Sequence, residues 1–118
     1  MIPDPVDECA PRLSGCGRCG ALLVGKRVRW CSDACRRWYY IHHLWRYARR
    51  EAMRRAKRKC VRCGAPAEEV DHIKPRKGMP LSTWSCLHHQ ANLRPLCRMH
   101  HVTRREWDPD YAASLKRK

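Results

Sequence analysis

Cysteine and histidine side chains fall into four pairs whose spacing is typical of zinc ligands. The pairs are Cys16/Cys19, Cys31/Cys35, Cys60/Cys63 and Cys97/His100. Two or three intervening residues let both side chains of a pair reach one ion, and two such pairs complete a tetrahedral site. The spacing therefore predicts two structural Zn²⁺ ions, since protein would fill every coordination position and no bound water would remain to be activated.

A second group of polar side chains lies within and just beyond the C-terminal zinc pairs. It consists of Asp71, His72, Asn92 and His101. These residues supply a carboxylate, two imidazoles and an amide, and the zinc pairs do not need them. Groups of this kind are required by a site that holds a hard divalent cation beside a general base. We therefore interpret the four residues as a candidate catalytic site.

The stretch from Cys60 to Arg104 resembles the HNH, or ββα-metal, endonucleases. Three motifs carry the resemblance: Cys60-x-x-Cys63, Asp71-His72-Ile73-x-Pro75, and Asn92-Leu93-x-x-Leu96-Cys97-x-x-His100-His101. The match covers about 45 of the 118 residues. His100 stands where the family usually has its fourth cysteine, and zinc sites with three thiolates and one imidazole are common.

The resemblance implies a role for each candidate residue. His72 would be the general base, and Asp71 and His101 would bind one catalytic divalent ion, Mg²⁺ or Mn²⁺. Asn92 would either orient the base or complete the metal site. The implied reaction is metal-dependent hydrolysis of DNA phosphodiester bonds, by nicking or double-strand cleavage. The alternative is a non-catalytic, zinc-stabilised regulator that binds DNA or RNA.

Composition agrees with a small metal-stabilised protein that binds a polyanion. The chain has nine cysteines, no phenylalanine and a mean hydropathy of -0.75, and so short a chain commonly needs a staple. The absence of a signal-peptide pattern favours zinc over disulfides, and hence a reducing compartment without a membrane span. The net charge is +15, or about +12 with both zinc ions bound, which favours double-stranded DNA as the partner.

Residues 33–59 show a helical pattern without glycine or proline. The apolar stripe of the predicted helix is formed by Ala34, Trp38, Ile41, Trp45, Ala48 and Ala52. Cations dominate its other faces, which predicts a helix that contacts phosphates. We interpret His42 and His43 as surface residues of this helix without a ligand role. The predicted DNA-binding residues of the whole chain are Arg49, Arg50, Arg54, Arg55, Arg58, Lys74, Arg76, Arg94 and Arg104.

The predicted fold class is a small zinc-stabilised α+β protein, in which a treble-clef-like zinc knuckle and a long basic helix precede a ββα-metal module. The predicted segments are a flexible tail (1–15), the four-cysteine knuckle (16–35), the basic helix (36–59), the nuclease module (60–107) and a basic tail (108–118). Within the knuckle, residues 21–30 are long enough for a short hairpin through Gly25, and Ser32 or Asp33 can cap the helix. Within the module, residues 68–73 and 92–96 are predicted strands, and residues 98–107 a short helix.

Other histidines and cysteines in the module have less definite roles. Cys86, His88 and His89 are interpreted as loop surface and partial core, with metal ligation in place of another residue as the alternative. A compact module behind an extra zinc knuckle resembles small endonucleases of bacteriophages and other mobile elements. That resemblance implies the cytoplasm of a bacterial host, and phage-packaging or other mobile-element proteins as further partners.

Overall fold

The computed structural model describes residues 15–81 and 85–115. The helices are α1 (Asp33–His43), α2 (Trp45–Arg55), α3 (Arg98–Val102), α4 (Arg104–Trp107) and α5 (Pro109–Leu115), and the strands are β1 (Glu69–His72) and β2 (Leu93–Leu96). Short 3-10 turns cover Cys86–His88 and Gln90–Asn92. The predicted N-terminal tail up to residue 14 and the last three residues of the basic C-terminal tail lie outside the described residues.

The two strands pair antiparallel and place two of the candidate catalytic residues, Asp71 and His72, on β1. Asp71 is opposite Arg94, and His72 is opposite Leu93. Val70 and Leu93 pack against α2 through Ala48 and Ala52, so apolar burial holds one face of the ladder against the helix. The predicted strands 68–73 and 92–96 are therefore confirmed to within one residue at each end.

The prediction of one long basic helix is wrong, because the segment forms two helices, α1 and α2. Leu44 has extended backbone angles (φ -109°, ψ 119°) and separates α1 from α2. The buried side chains of α1 are Cys35, Tyr39 and His43, so its core-facing stripe differs from the predicted one, and Ala34 is exposed. Nothing local signals the break, because its stabilising contacts come from the distant loop that carries Gln90.

Gln90 supplies the hydrogen bonds that stabilise this break. Its Nε2 donates to the carbonyl of Ile41 at 2.7 Å and to that of Ala48 at 3.0 Å. These two carbonyls lie on either side of Leu44, in α1 and in α2. Carbonyl groups in the interior need hydrogen-bond donors. Gln90, at least 42 residues further along the chain, supplies a donor to the carbonyls on both sides of the break.

The C-terminal region is more helical than predicted. The predicted helix over residues 98–107 is interrupted at Thr103, whose hydroxyl donates to the carbonyl of Met99 at 2.7 Å. The segment after residue 108 was predicted only as a basic tail, but it forms α5, and Asp108 accepts a hydrogen bond from the Tyr111 backbone at 3.1 Å. None of the helices in the described ranges has the length and apolarity that crossing a bilayer requires.

Candidate functional site

The N-terminal cysteines converge as predicted. The sulfur atoms of Cys16, Cys19, Cys31 and Cys35 all lie within 4.8 Å of one another. Ser32 is the residue that caps α1, because its hydroxyl accepts the Cys35 N–H at 3.1 Å and so starts the helix at the second ligand pair. The predicted hairpin is not formed, since residues 21–30 contain a turn at Gly25 but no strand. This cluster can hold a structural zinc ion.

The four predicted ligands of the C-terminal zinc cluster also converge. The ligand atoms of Cys60, Cys63, Cys97 and His100 also lie within 4.8 Å of one another. Nδ1 of His100 is the nitrogen that faces the sulfurs, at 3.2 Å from Cys97 and 3.7 Å from Cys60. Histidine at the fourth position therefore preserves the cluster, which can hold the second structural zinc.

The turn that carries Cys16 and Cys19 and the turn that carries Cys60 and Cys63, here called the two knuckles, have similar sequences, which the sequence analysis missed. Residues 16–21 and 60–65 both read Cys-x-Arg-Cys-Gly-Ala, and each glycine adopts a positive φ, +80° at Gly20 and +78° at Gly64. Each arginine lies over a tryptophan ring, Arg18 over Trp38 at 4.3 Å and Arg62 over Trp107 at 4.4 Å. An internal comparison of the two hexapeptides would have found the repeat.

Backbone amides favour the thiolate form at the first cysteine of each knuckle. Burial raises the pKa of Cys16 and of Cys60, but backbone hydrogen bonds outweigh burial and lower each pKa to about 6. The amides come from the knuckle turn itself and from the second ligand pair, at Cys31 and Cys97 respectively. Since zinc binds thiolates, the same turn that positions these sulfurs also prepares them for metal.

The candidate catalytic residues border one open groove. It has a volume of about 890 Å³ and is bounded by β1, the loop after it, α2 and the C-terminal helices. Asp71, His72 and His101 all line it, and so do the cations Arg49 and Arg76. The groove thus brings together three of the four residues singled out from the sequence.

His101 lies between two carboxylates. Its Nε2 is 3.9 Å from Oδ1 of Asp71, and its Nδ1 is 2.5 Å from Oε2 of Glu69. A carboxylate on one nitrogen of an imidazole commonly fixes the other nitrogen as a metal ligand. Nε2 of His101 is therefore the nitrogen that faces Asp71, and Glu69, which the sequence analysis missed, lies against the other ring nitrogen.

Asp71 is also the centre of a buried ion-pair network. Its carboxylate accepts from Nε of Arg94 at 2.7 Å and from Nη1 of Arg104, and the second bond uses the oxygen that faces His101. Arg94 continues the network to Asp108 at 2.6 Å. A divalent ion between Asp71 and His101 would have to share or displace the Arg104 contact.

The candidate base pairs with a histidine that was not predicted for this role. Nε2 of His72 lies 2.9 Å from Nδ1 of His88, and both side chains are buried. Trp45 stacks on the His72 ring with centroids 5.0 Å apart. Burial, with smaller contributions from His88 and Arg76, lowers the pKa of His72 to about 4, so the ring is neutral at pH 7.

Asn92 contacts the backbone on both sides of the site. Its Oδ1 accepts the Lys74 N–H at 2.7 Å, and its Nδ2 donates to the carbonyls of Lys74, at 3.3 Å, and Leu87, at 2.7 Å. These bonds tie the chain just after His72 to the turn that carries His88. Asn92 therefore positions the two segments that hold the histidine pair.

The predicted DNA-binding cations separate into different surroundings. Arg50 lines a second cavity, away from the groove that contains Arg49. In that second region Glu51 is buried and accepts from Arg54 at 2.7 and 2.8 Å and from Arg55 at 3.0 Å. The hydrogen bonds from Arg54 lower the pKa of Glu51 to about 2; burial raises this pKa but is outweighed, and Arg55 adds to the lowering.

The other predicted cations also differ in their contacts. Arg58 and Lys74 are exposed, and Arg76 lines the groove while it donates to the carbonyl of Met79. Arg94 is largely buried between its two carboxylates. Arg104 also lines the groove but is paired with Asp71, so Arg49 and Arg76 are the predicted cations in the described part of the chain that are best placed to meet a ligand there.

Comparisons with known proteins return no relative. No protein-family model matches the chain, no curated protein sequence matches it, and no solved structure matches its fold.

Proposed function

We propose that the protein is a metal-dependent endonuclease of the HNH type that hydrolyses phosphodiester bonds of double-stranded DNA. The observation that carries the proposal is the arrangement around one groove of a buried imidazole, His72, and a carboxylate–imidazole pair, Asp71 and His101, with a carboxylate oxygen of Glu69 2.5 Å from Nδ1 of His101. Binding alone does not require that set. The strong net charge of +15 supports a polyanionic substrate.

His72 is the base in this proposal. It takes a proton from water, the water oxygen forms a bond to phosphorus, and the bond from phosphorus to the 3′ oxygen breaks, leaving a 5′-phosphate and, after protonation by solvent, a 3′-hydroxyl. Because Nε2 of His72 faces His88, the base must be Nδ1, with Nε2–H donated to Nδ1 of His88. His88 then holds the tautomer and the ring orientation.

The positive side chains of the groove would bind the phosphate backbone. Arg49 and Arg76 lie on its border, on either side of His72 along the chain. A divalent ion bound by Asp71 and His101 would offset charge on the scissile phosphate and its leaving oxygen. The two zinc clusters would keep a structural role: the C-terminal one would join the turn before β1 to the start of α3, which carries His101 at the groove, and the N-terminal one would hold the segment before α1 to the start of that helix.

Incubation with supercoiled plasmid tests the proposal. Cleavage is expected with Mg²⁺ or Mn²⁺ and none with EDTA under conditions that retain the zinc. His72→Ala should lower the rate roughly 10²–10⁴-fold, with partial recovery at higher pH because hydroxide replaces the missing base. His101→Ala should instead raise the Mn²⁺ requirement and respond little to pH. His42→Ala, at a half-buried histidine of α1 that does not line the groove, is the matched control and should cleave like the parent.

The second candidate is a zinc-stabilised DNA- or RNA-binding regulator without catalysis. One observation favours it: Arg104 contacts the Asp71 oxygen that a catalytic ion would need. Plasmid binding that survives while neither Mg²⁺ nor Mn²⁺ produces cleavage, with both zinc ions present, would replace the nuclease by this candidate.

A further inference from the structure

A third group of metal-ligand side chains lies away from the groove. His43, Cys86 and His89 each offer one ligand atom, and these atoms lie within 4.8 Å of one another. His43 is fully buried and Cys86 is 4% exposed, so the prediction that His43 is a surface residue is wrong. The three residues come from the end of α1 and from the loop before β2, which are 43 positions apart or more.

The chemistry of the group suits zinc. Nε2 of His43 is 3.0 Å from Nε2 of His89, close to the separation of about 3.3 Å that two imidazoles have on a tetrahedral zinc with Zn–N bonds of about 2.05 Å. Nδ1 of His43 lies 3.0 Å from the carbonyl of Tyr39. Donation to that carbonyl leaves the lone pair on Nε2, directed at the group, which is the usual arrangement for a ligating histidine.

The spacing and packing of the loop also match a metal site. Cys86 and His89 are separated by two residues, as are Cys97 and His100 in the C-terminal zinc cluster. The Ser85 N–H donates to the carbonyl of His43 at 3.2 Å, which holds the loop against the end of α1. This backbone hydrogen bond brings the loop ligands next to His43.

We propose that His43, Cys86 and His89 bind a third zinc ion, which cross-links the knuckle helix α1 to the loop of the C-terminal module. Three protein ligands leave one coordination position for water. His88 lies within the same loop and contacts His72. The ion would therefore also restrict the motion of the loop that positions His72 at the groove. The zinc assignment itself does not depend on nuclease activity.

Metal content of the full-length protein tests the third site. Protein purified under reducing conditions and dialysed against buffered zinc should contain three zinc ions per chain by elemental analysis. Cys86→Ser and His43→Gln should each contain two. His42→Gln is the matched control, because it removes the neighbouring histidine, whose ring contacts His89 at a centroid distance of 5.2 Å but which offers no ligand atom to the group, and it should retain three.

Cobalt gives a second measurement that does not require the variants to fold equally well. Co²⁺ added to protein that holds two zinc ions should bind in a further one-to-one step, with a thiolate charge-transfer absorption. Two zinc ions in the parent and no such step would overturn the proposal. Three zinc ions in both the parent and a folded Cys86→Ser variant would also overturn it, because the third ion would then lie elsewhere.

Discussion

The stability of Asp71→Asn distinguishes between two descriptions of this carboxylate: the centre of an ion-pair network, or a ligand in an acidic metal site. The two descriptions predict changes in the free energy of unfolding of opposite sign. In the ion-pair network the side chain neutralises Arg94 and Arg104, and it is only 3% exposed. An amide in its place would leave two guanidinium groups without their shared anion. In an acidic metal site without these arginines, by contrast, loss of one carboxylate would relieve repulsion and stabilise the metal-free protein.

The size of the expected loss can be worked from the contacts. Removal of one partner from a buried ion pair costs roughly 3–5 kcal/mol. The lower end applies because Arg94 keeps Asp108 at 2.6 Å, while Arg104 is 19% exposed and keeps its bonds to the His101 carbonyl at 2.8 Å and Tyr111 at 3.2 Å. We therefore expect the free energy of unfolding to fall by about 3 kcal/mol. With a urea dependence of about 1.5 kcal/mol per molar, the midpoint falls by about 2 M.

Urea unfolding at pH 7, followed by circular dichroism with zinc retained and magnesium absent, measures this change. Glu68→Gln is the control, since its exposed side chain just before β1 should change stability by less than about 0.5 kcal/mol. A midpoint for Asp71→Asn that equals or exceeds that of the parent would refute the network. The result also matters for any activity assay, because inactivity of this variant must be separated from unfolding.

Three further predictions concern other parts of the molecule. For binding of a mixed-sequence DNA duplex, measured by fluorescence anisotropy, Arg49→Gln should flatten the slope of log binding constant against log salt concentration by about one unit. Arg50→Gln, at the adjacent residue outside the groove, should leave the slope unchanged. Equal effects of the two changes would contradict the groove as the DNA surface. Arg104→Gln should lower the Mn²⁺ concentration for half-maximal cleavage about fivefold, as removal of a 1 kcal/mol competitor would, and an unchanged requirement would exclude competition. Gly15→Ala should lower the zinc affinity of the N-terminal cluster in a chelator-competition assay, because the added Cβ would lie 2.6 Å from a backbone carbonyl oxygen. Gly25→Ala, at a similar positive φ but in open space, should leave that affinity unchanged. Equal zinc affinities in the two variants would show that the knuckle accommodates the added Cβ.

The ligand pairs and the positions of the two strands could be predicted from the sequence because both depend on local patterns. Two residues between Cys60 and Cys63 restrict those sulfurs to one neighbourhood whatever the rest of the chain does. The strand before Pro75 similarly follows from local alternation and from the backbone that proline requires. These features were confirmed as clusters and strands.

The partners of the charged and titratable residues could not be predicted in this way. The sequence shows that Asp71 and His101 are present, but only the fold brings Arg94 and Arg104 onto that carboxylate and Glu69 onto that imidazole. The Arg94 contact depends on the register of β2 against β1, whereas the Arg104 and Glu69 contacts depend on how the C-terminal helices pack against β1. Local periodicity carries no information about either.

The end of α1 shows the same division between sequence and tertiary structure. The pattern of residues 33–59 specifies helix at nearly every position, but the break at Leu44 depends on Gln90, which donates to carbonyls on both sides of it. That docking buries His43 and brings it to Cys86 and His89. The sequence therefore determined which residues can bind metal and where the strands lie. The tertiary structure decided which groups meet, because those contacts join segments whose separation along the chain no local preference controls.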